Sequence, residues 1–190
     1  MIEDLPIIQK GHDPGACFWI MPVKCHSTEC FGWESVEECK SAEISLDEFD
    51  VDGFLSYFFK RHFDATLIYN QQRHDDVHGV KDLCFPAEFE WYLTYNFYTY
   101  DGIQAMIEDI RQVMDAIECG GLEEAPLELS REIKNWFFTV TDSSTDRAAA
   151  EALAFASPSV VMDYYRSFIS HMEEMMAAYP DWPLISVMGP

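Results

Sequence analysis

The chain has 190 residues, 48% hydrophobic and 15% aromatic, which is long and apolar enough to bury a sizeable core as one domain. Its 34 acidic residues against 12 basic ones give a net charge of −22. Nucleic acids and anionic membranes bind through positive surfaces, so the composition predicts neither as a partner. The sequence also lacks an uninterrupted apolar run of about 18 residues that would span a bilayer.

The N-terminus places acids before a very short apolar patch, which is the wrong order for a secretory signal. Six cysteines at irregular spacing are then best interpreted as reduced thiols. We therefore expect a cytoplasmic protein.

The first apolar segment, Cys17 to Val23, is typical of a strand. Because Pro22 cannot donate a backbone hydrogen bond, we expect this strand to lie at a sheet edge or to end there. Residues 31–36 predict a second, shorter strand.

A helix is predicted after these strands. Ser45 and Glu48 fit a reciprocal capping box at its start, although a start at Asp50 fits the pattern equally well. Residues 65–69 then predict another short strand.

The segment 88–121 changes its period halfway. Residues 89–98 alternate in steps of two and are rich in aromatic residues, which predicts a long strand. Apolar residues then recur at steps of three and four, which predicts a helix over 100–119, with Thr99 as its N-cap and the Gly120-Gly121 pair ending it. Neither element can bury its apolar side alone, so we expect the helix to lie on the face of the sheet.

The C-terminal third is predicted to be mostly helical. Residues 126–133 predict a short helix, and 136–140 predict a buried strand, although a continued helix fits the same residues. The alanine-rich stretch 146–155 and the segment 158–178 predict two more helices, and 184–188 a terminal strand. These elements predict one α+β domain over residues 1–190, with an antiparallel or mixed sheet packed against several helices.

Acidity is densest between Glu34 and Asp52, where Lys40 is the one basic residue. Such a patch attracts a basic protein, and a neighbouring aromatic residue is the usual anchor of an interface. The predicted partner-binding residues are Phe31, Trp33, Glu37, Glu38, Glu48, Asp50 and Asp52. A solvated face that only favours solubility is the alternative interpretation.

Two stretches suggest metal binding. His74, Asp75 and His78 have the spacing by which one helix presents two imidazoles to zinc, and they form the alternative candidate, a metal-dependent enzyme site. Polar flanks favour an exposed loop there instead. Residues 48–55 copy the front of a calcium-binding EF-hand loop, but Phe59 occupies the position of its essential bidentate carboxylate.

No nucleophile elbow, phosphate-binding loop or dinucleotide fingerprint occurs, so we expect no cofactor and favour a non-enzymatic protein. In size, acidity and lack of catalytic motifs the chain is similar in general character to bacterial immunity and inhibitor proteins. That similarity is compositional and implies binding to a basic protein. A small-ligand-binding domain with an aromatic pocket is a third possibility, suggested by the tyrosines and methionines spaced along the last helix.

Overall fold

The strands pair in an antiparallel sheet of order β1-β4-β2-β6-β5, and β3 also pairs with β2. The computed structural model describes residues 6–13, 15–26, 35–71, 89, 95–140 and 147–190. Its strands are β1 (Ile8–Lys10), β2 (Cys17–Cys25), β3 (Val36–Glu38), β4 (Ile44–Asp47), β5 (Tyr95–Thr99) and β6 (Leu184–Met188).

Helices cover one face of the sheet and confirm the predicted α+β class. They are α1 (Glu48–Asp50), which continues through a π-helical turn (Val51–Leu55) into α2 (Ser56–Arg61), then α3 (Tyr100–Gly120), α4 (Leu127–Val140), α5 (Arg147–Ala156) and α6 (Pro158–Ala178). Short 3-10 turns cover Lys40–Ala42, Ile68–Gln71 and Leu122–Glu124.

The main core lies between the helices and the sheet face that carries Phe18, Ile20 and Tyr98. Buried phenols in this core donate to backbone carbonyls: Tyr98 Oη to Phe59 O at 2.8 Å, and Tyr165 Oη to Phe54 O at 3.0 Å. These bonds satisfy polar atoms that would otherwise be buried without a partner.

The opposite face of the sheet is also apolar. Met21, Val23 and Phe97 belong to a second buried cluster on this face, against which Leu67 and Tyr69 pack. Both sides of β2 and β5 are therefore buried, so the period-two alternation separates two cores rather than a core from solvent.

Local signals in the central segment are confirmed. Helix α3 begins after Thr99, whose Oγ1 accepts from the Gly102 N–H at 3.0 Å, and Gly121 follows its last residue with φ of 88°. Strand β5 is the described end of the long strand predicted over 89–98. The rest of that strand, apart from the buried Phe89, lies outside the described residues.

Strand β2 confirms the predicted strand, but the expected edge position of Pro22 is wrong. β2 is central: β6 pairs on one side, and β4 and β3 share the other. The Pro22 carbonyl accepts from the Cys39 N–H at 2.9 Å. Because the nitrogen and carbonyl of one strand residue point to the same side, the Pro22 nitrogen, which has no hydrogen to donate, also faces the connection between β3 and β4. Proline is tolerated where neither neighbouring strand needs a donor.

Three further predictions are corrected. Ser45 lies in β4, and Asp47 caps the helix instead. Residues 65–69 form turns rather than a strand, and 136–140 continue helix α4. Of the strand predicted over 31–36, Val36 begins β3, whereas residues 31–34 lie outside the described part of the chain.

Candidate functional site

A cleft of about 350 Å³ opens at the end of the sheet where β1 and β2 begin and β4 ends. The last turn of α4 closes its other side. We call it the acidic cleft; its polar and charged lining residues include Asp13, Cys17, Ser45, Asp47, Asp50 and Thr139, and its apolar ones are Ile7, Phe49, Trp136 and Val140.

Asp50 is the buried carboxylate of the acidic cleft, with 7% of its surface exposed. Its Oδ1 accepts from the indole Nε1 of Trp136 at 2.8 Å, and its Oδ2 accepts from the Ile7 N–H at 3.1 Å. Asp50 therefore joins α1 to α4 and to the residue that precedes β1. Burial raises the pKa of this carboxyl group to about 6, although the two hydrogen bonds oppose the shift.

Two further carboxylates line the cleft, each fixed by a backbone N–H. Asp47 Oδ1 accepts from Phe49 N at 2.9 Å as the cap of α1, and Asp13 Oδ1 accepts from Gly15 N at 2.8 Å. Ser45 holds the Asp13 loop against β4, because its Oγ accepts from the Asp13 N–H at 3.1 Å. Each aspartate therefore keeps a second oxygen without a hydrogen-bond partner among the described residues.

The electrostatic field in the cleft is negative. The pKa of the Cys17 thiol is raised to about 11, chiefly by burial and further by Asp13, Asp47 and Asp50. A thiol held protonated is a poor nucleophile, so this cysteine does not suggest catalysis. The C-terminal turn of α4 adds the negative end of a helix dipole. A positive charge would therefore be electrostatically favoured in the cleft.

Apolar side chains flank the carboxylates. Phe49 and Ile7 are each 60% exposed, which is unusual for large hydrophobic residues. Together with the acids they form a mixed surface in which exposed apolar side chains lie beside negative charge.

Gly53 determines how closely α4 approaches this site. A Cβ on Gly53 would lie 2.6 Å from the Cβ of Trp136, which is impossible without displacing the tryptophan. The glycine that completes the EF-hand-like pattern in the sequence is therefore required for packing against α4, and this packing brings the Trp136 indole to Asp50.

A smaller cavity of about 60 Å³ adjoins the cleft and shares Phe49 and Trp136 with it. It is lined by two more acids, Asp52 and Glu132. Burial raises the pKa of Glu132. The ammonium group of Lys60, 3.7 Å away, partly opposes this rise. The negative potential thus extends beyond the cleft itself.

The predicted partner-binding residues fall at two ends of the sheet. Glu37 and Glu38 lie on β3, beside the end of β2, where Glu37 contacts the His26 ring at 3.1 Å and Glu38 accepts from Tyr95 Oη at 2.5 Å. At about 3.3 Å per strand residue they lie roughly 20 Å along β2 from Cys17 and the acidic cleft. The acidic run of the sequence is therefore divided into two separate groups.

The remaining predicted residues are placed as follows. Asp50 lines the acidic cleft, and Glu48 and Asp52 are exposed on the same helical segment. Phe31 and Trp33 lie outside the described residues, as do the alternative metal ligands His74, Asp75 and His78. Within the described ranges, no group of three or more histidine, cysteine or acidic residues is arranged to hold a metal ion.

Sequence reasoning missed five residues of the site: Ile7, Asp13, Asp47, Phe49 and Trp136. Ile7, Asp13 and Trp136 come from segments distant in the chain from α1, and the Trp136 segment was predicted to be a strand. One signal was present for Phe49, an apolar residue inside an acidic run just after the Asp47 cap position.

None of the helices in the described ranges has the length and apolarity needed to cross a membrane. No protein-family model matches the chain, and no curated protein or solved structure is significantly similar to it.

Proposed function

We propose that this protein is a non-enzymatic binding module that recognises a basic protein partner through the acidic cleft. One observation carries the proposal: three carboxylates, those of Asp13, Asp47 and Asp50, line a cavity of about 350 Å³ whose described lining contains no lysine, arginine or histidine. A lysine or arginine side chain of the partner supplies the missing positive charge.

The roles of the residues follow from their burial. Asp50 is the buried counter-ion, while Asp13 and Asp47 each offer one carboxylate oxygen to the N–H groups of the guest side chain. Phe49 and Ile7 give the partner apolar contact area beside the charge. Arginine is the better guest because its planar fork donates to several carboxylates at once and stacks on an aromatic ring.

The net charge of −22 adds a long-range contribution. A protein of this charge accelerates its encounter with a basic partner, and the effect weakens as salt is added. Glu37, Glu38, Glu48 and Asp52, with Phe31 and Trp33, remain predicted partner-binding residues. In this proposal the glutamates contribute to steering, and the cleft provides the specific contact.

A labelled tetra-arginine peptide, acetylated and amidated at its ends, tests the proposal by fluorescence anisotropy at physiological salt. We expect binding that a tetra-citrulline peptide does not reproduce. The double variant Asp13→Asn/Asp47→Asn should weaken binding at least tenfold, because asparagine keeps the caps but removes both charges.

The matched control is Glu108→Gln/Glu118→Gln, which removes the same charge from the exposed side of α3. This control should bind within about twofold of the wild type, since exposed charges distant from a contact change affinity little. Equal losses of peptide affinity in both double variants would show that the peptide binds by non-specific charge attraction, and would refute specific binding in the acidic cleft.

A small cationic ligand is the second candidate, because about 350 Å³ lies within the range of small-molecule pockets. A thermal-shift titration with arginine methyl ester and with aliphatic diamines separates the two functions. Saturable stabilisation by a free amine favours the ligand-binding domain, whereas stabilisation by arginine peptides alone favours the protein partner.

We propose a cytoplasmic location. Cys17, Cys25, Cys39 and Cys119 are free thiols, which is typical of a reducing compartment. Mapping of the alkylated cysteines in protein isolated from cells under acid quench tests this: blocked thiols would contradict the location.

A further inference from the structure

Asp50 is a buried acid that no cation neutralises within the described part of the acidic cleft. Its oxygens receive two neutral N–H donors, from Trp136 and Ile7, at 2.8 and 3.1 Å. Neutral donors orient a carboxylate without cancelling its charge, so the ionised form remains costly in this position.

The surrounding ionisable groups reinforce this cost. They are Asp47 at the cap of α1, Asp13 in the loop after β1, Cys17 on β2 and Tyr164 on α6. Each is neutral or negative at neutral pH, and helix α4 contributes the uncharged Trp136 together with its negative C-terminal end. Within the described residues, the two hydrogen bonds and the N-terminal end of helix α1, in whose first turn Asp50 lies, favour its ionisation, whereas burial and the neighbouring carboxylate of Asp47 oppose it.

We propose that the acidic cleft exchanges a proton for the partner's basic side chain, so that Asp50 ionises as the cation enters and acid weakens recognition. This inference rests on the proposed function of the cleft. In the exchange the O–H bond of the protonated Asp50 breaks and its proton passes to the solvent. The resulting carboxylate then pairs with the incoming ammonium or guanidinium group, so the charge within the cleft is conserved.

The ordinary properties of carboxyl groups support the exchange. Burial raises the pKa of Asp50 to about 6. A cation a few ångströms away lowers the pKa of a carboxyl group by one to three units, so the occupied cleft holds the ionised form at pH 5 to 6. By linkage, a ligand that lowers a pKa must itself bind more weakly as the pH falls below that pKa.

The acetylated and amidated tetra-arginine peptide is a suitable probe because arginine does not titrate in proteins. Calorimetric titrations at pH 5.0 to 8.0, repeated in buffers with different heats of ionisation, count the protons released. We expect release of about one proton per peptide near pH 5 and none at pH 8, with affinity about tenfold weaker at pH 5 than at pH 7.5.

Two variants separate Asp50 from its neighbours. Asp50→Asn removes the exchanging proton, so its affinity should be lower and nearly independent of pH. Asp47→Asn removes a charge from the same cleft but leaves Asp50 in place, so binding should weaken while proton release persists.

The indole N–H resonance of Trp136 provides a reading in the unmodified protein, because this group donates to Asp50. Its chemical shift should change with pH about a midpoint near 6 in the free protein. Saturating peptide should move this midpoint to lower pH. Its assignment comes from Trp136→Phe. This measurement keeps the inference testable if Asp50→Asn does not fold.

The outcomes are distinct. Peptide binding without proton release, or with its pH dependence unchanged in Asp50→Asn, would overturn the exchange and leave the proposed function intact. Absence of peptide binding at every pH would overturn the proposed function and the exchange together.

Discussion

The indole of Trp136 donates a 2.8 Å hydrogen bond to the carboxylate of Asp50 across 86 residues of sequence. This bond joins the C-terminal half of α4 to the first turn after β4, and both residues are buried. The acidic cleft exists because these two elements meet, so the bond contributes to stability as well as to the chemistry of the site.

Trp136→Phe should reduce stability by about 2 kcal/mol at pH 7.5, since a hydrogen bond to a charged group contributes roughly 1.5–3 kcal/mol. The loss should be smaller at pH 5, where Asp50 is mostly protonated and the bond is no longer charge-assisted. Urea unfolding at both pH values measures the difference. An identical loss at the two pH values would show that only packing had changed.

The pH dependence of stability should contain a contribution from Asp50 with a defined sign. Its pKa is raised on folding from 3.8 to about 6, so the native state holds this proton more tightly than the unfolded chain. The stabilisation is fully present below pH 3.8 and is lost as the pH rises through 6. At about 1.4 kcal/mol per pKa unit, the loss is about 3 kcal/mol.

Asp50→Asn should remove this contribution. The difference in unfolding free energy between wild type and variant should therefore shift by about 2 kcal/mol in favour of the variant between pH 4 and pH 7, since pH 4 already lies above the unfolded pKa of 3.8. The loss of the Ile7 hydrogen bond adds a constant offset, because an amide nitrogen would then face the Ile7 N–H. A constant difference across this range would mean that the pKa of Asp50 is close to its ordinary value.

Gly53→Ala should destabilise the protein by about 2 kcal/mol or more, because the added Cβ collides with Trp136 at 2.6 Å. The neighbouring and exposed Asp52→Ala should change the unfolding free energy by less than about 0.5 kcal/mol. Chemical denaturation compares the two. A shifted indole N–H resonance of Trp136 in Gly53→Ala alone would locate the disturbance at the cleft.

Two buried tyrosines make a matched pair. Tyr98→Phe should cost about 1–2 kcal/mol, since it leaves the Phe59 carbonyl, which accepts at 2.8 Å, without its donor. Tyr164→Phe should be neutral or stabilising, because the Tyr164 hydroxyl is buried with no hydrogen-bond partner among the described residues. Equal destabilisation of the two variants would indicate a partner for Tyr164.

Elements whose signal is local were predicted correctly. Helix α3 was predicted from its apolar period and from its N-cap Thr99, whose side chain accepts a hydrogen bond from Gly102, only three residues away. Strands β2 and β6 follow from short apolar runs. Errors arose where a distant segment decides the outcome: Ser45 resembles a helix cap in sequence, but pairing with Gln9 of β1 and Trp19 of β2 places it in β4.

The same division applies to the site. The sequence by itself determined that the protein is acidic and that carboxylates accumulate around Asp47 and Asp50, because charge depends on composition alone. Only the tertiary structure decided which acids meet. Folding brings Asp13 and Trp136 to Asp50, carries Glu37 and Glu38 to the other end of β2, and buries Asp50 while Asp52 stays exposed. Burial and proximity depend on packing between elements far apart in the chain, and these two quantities set the pKa and the partner of a carboxylate.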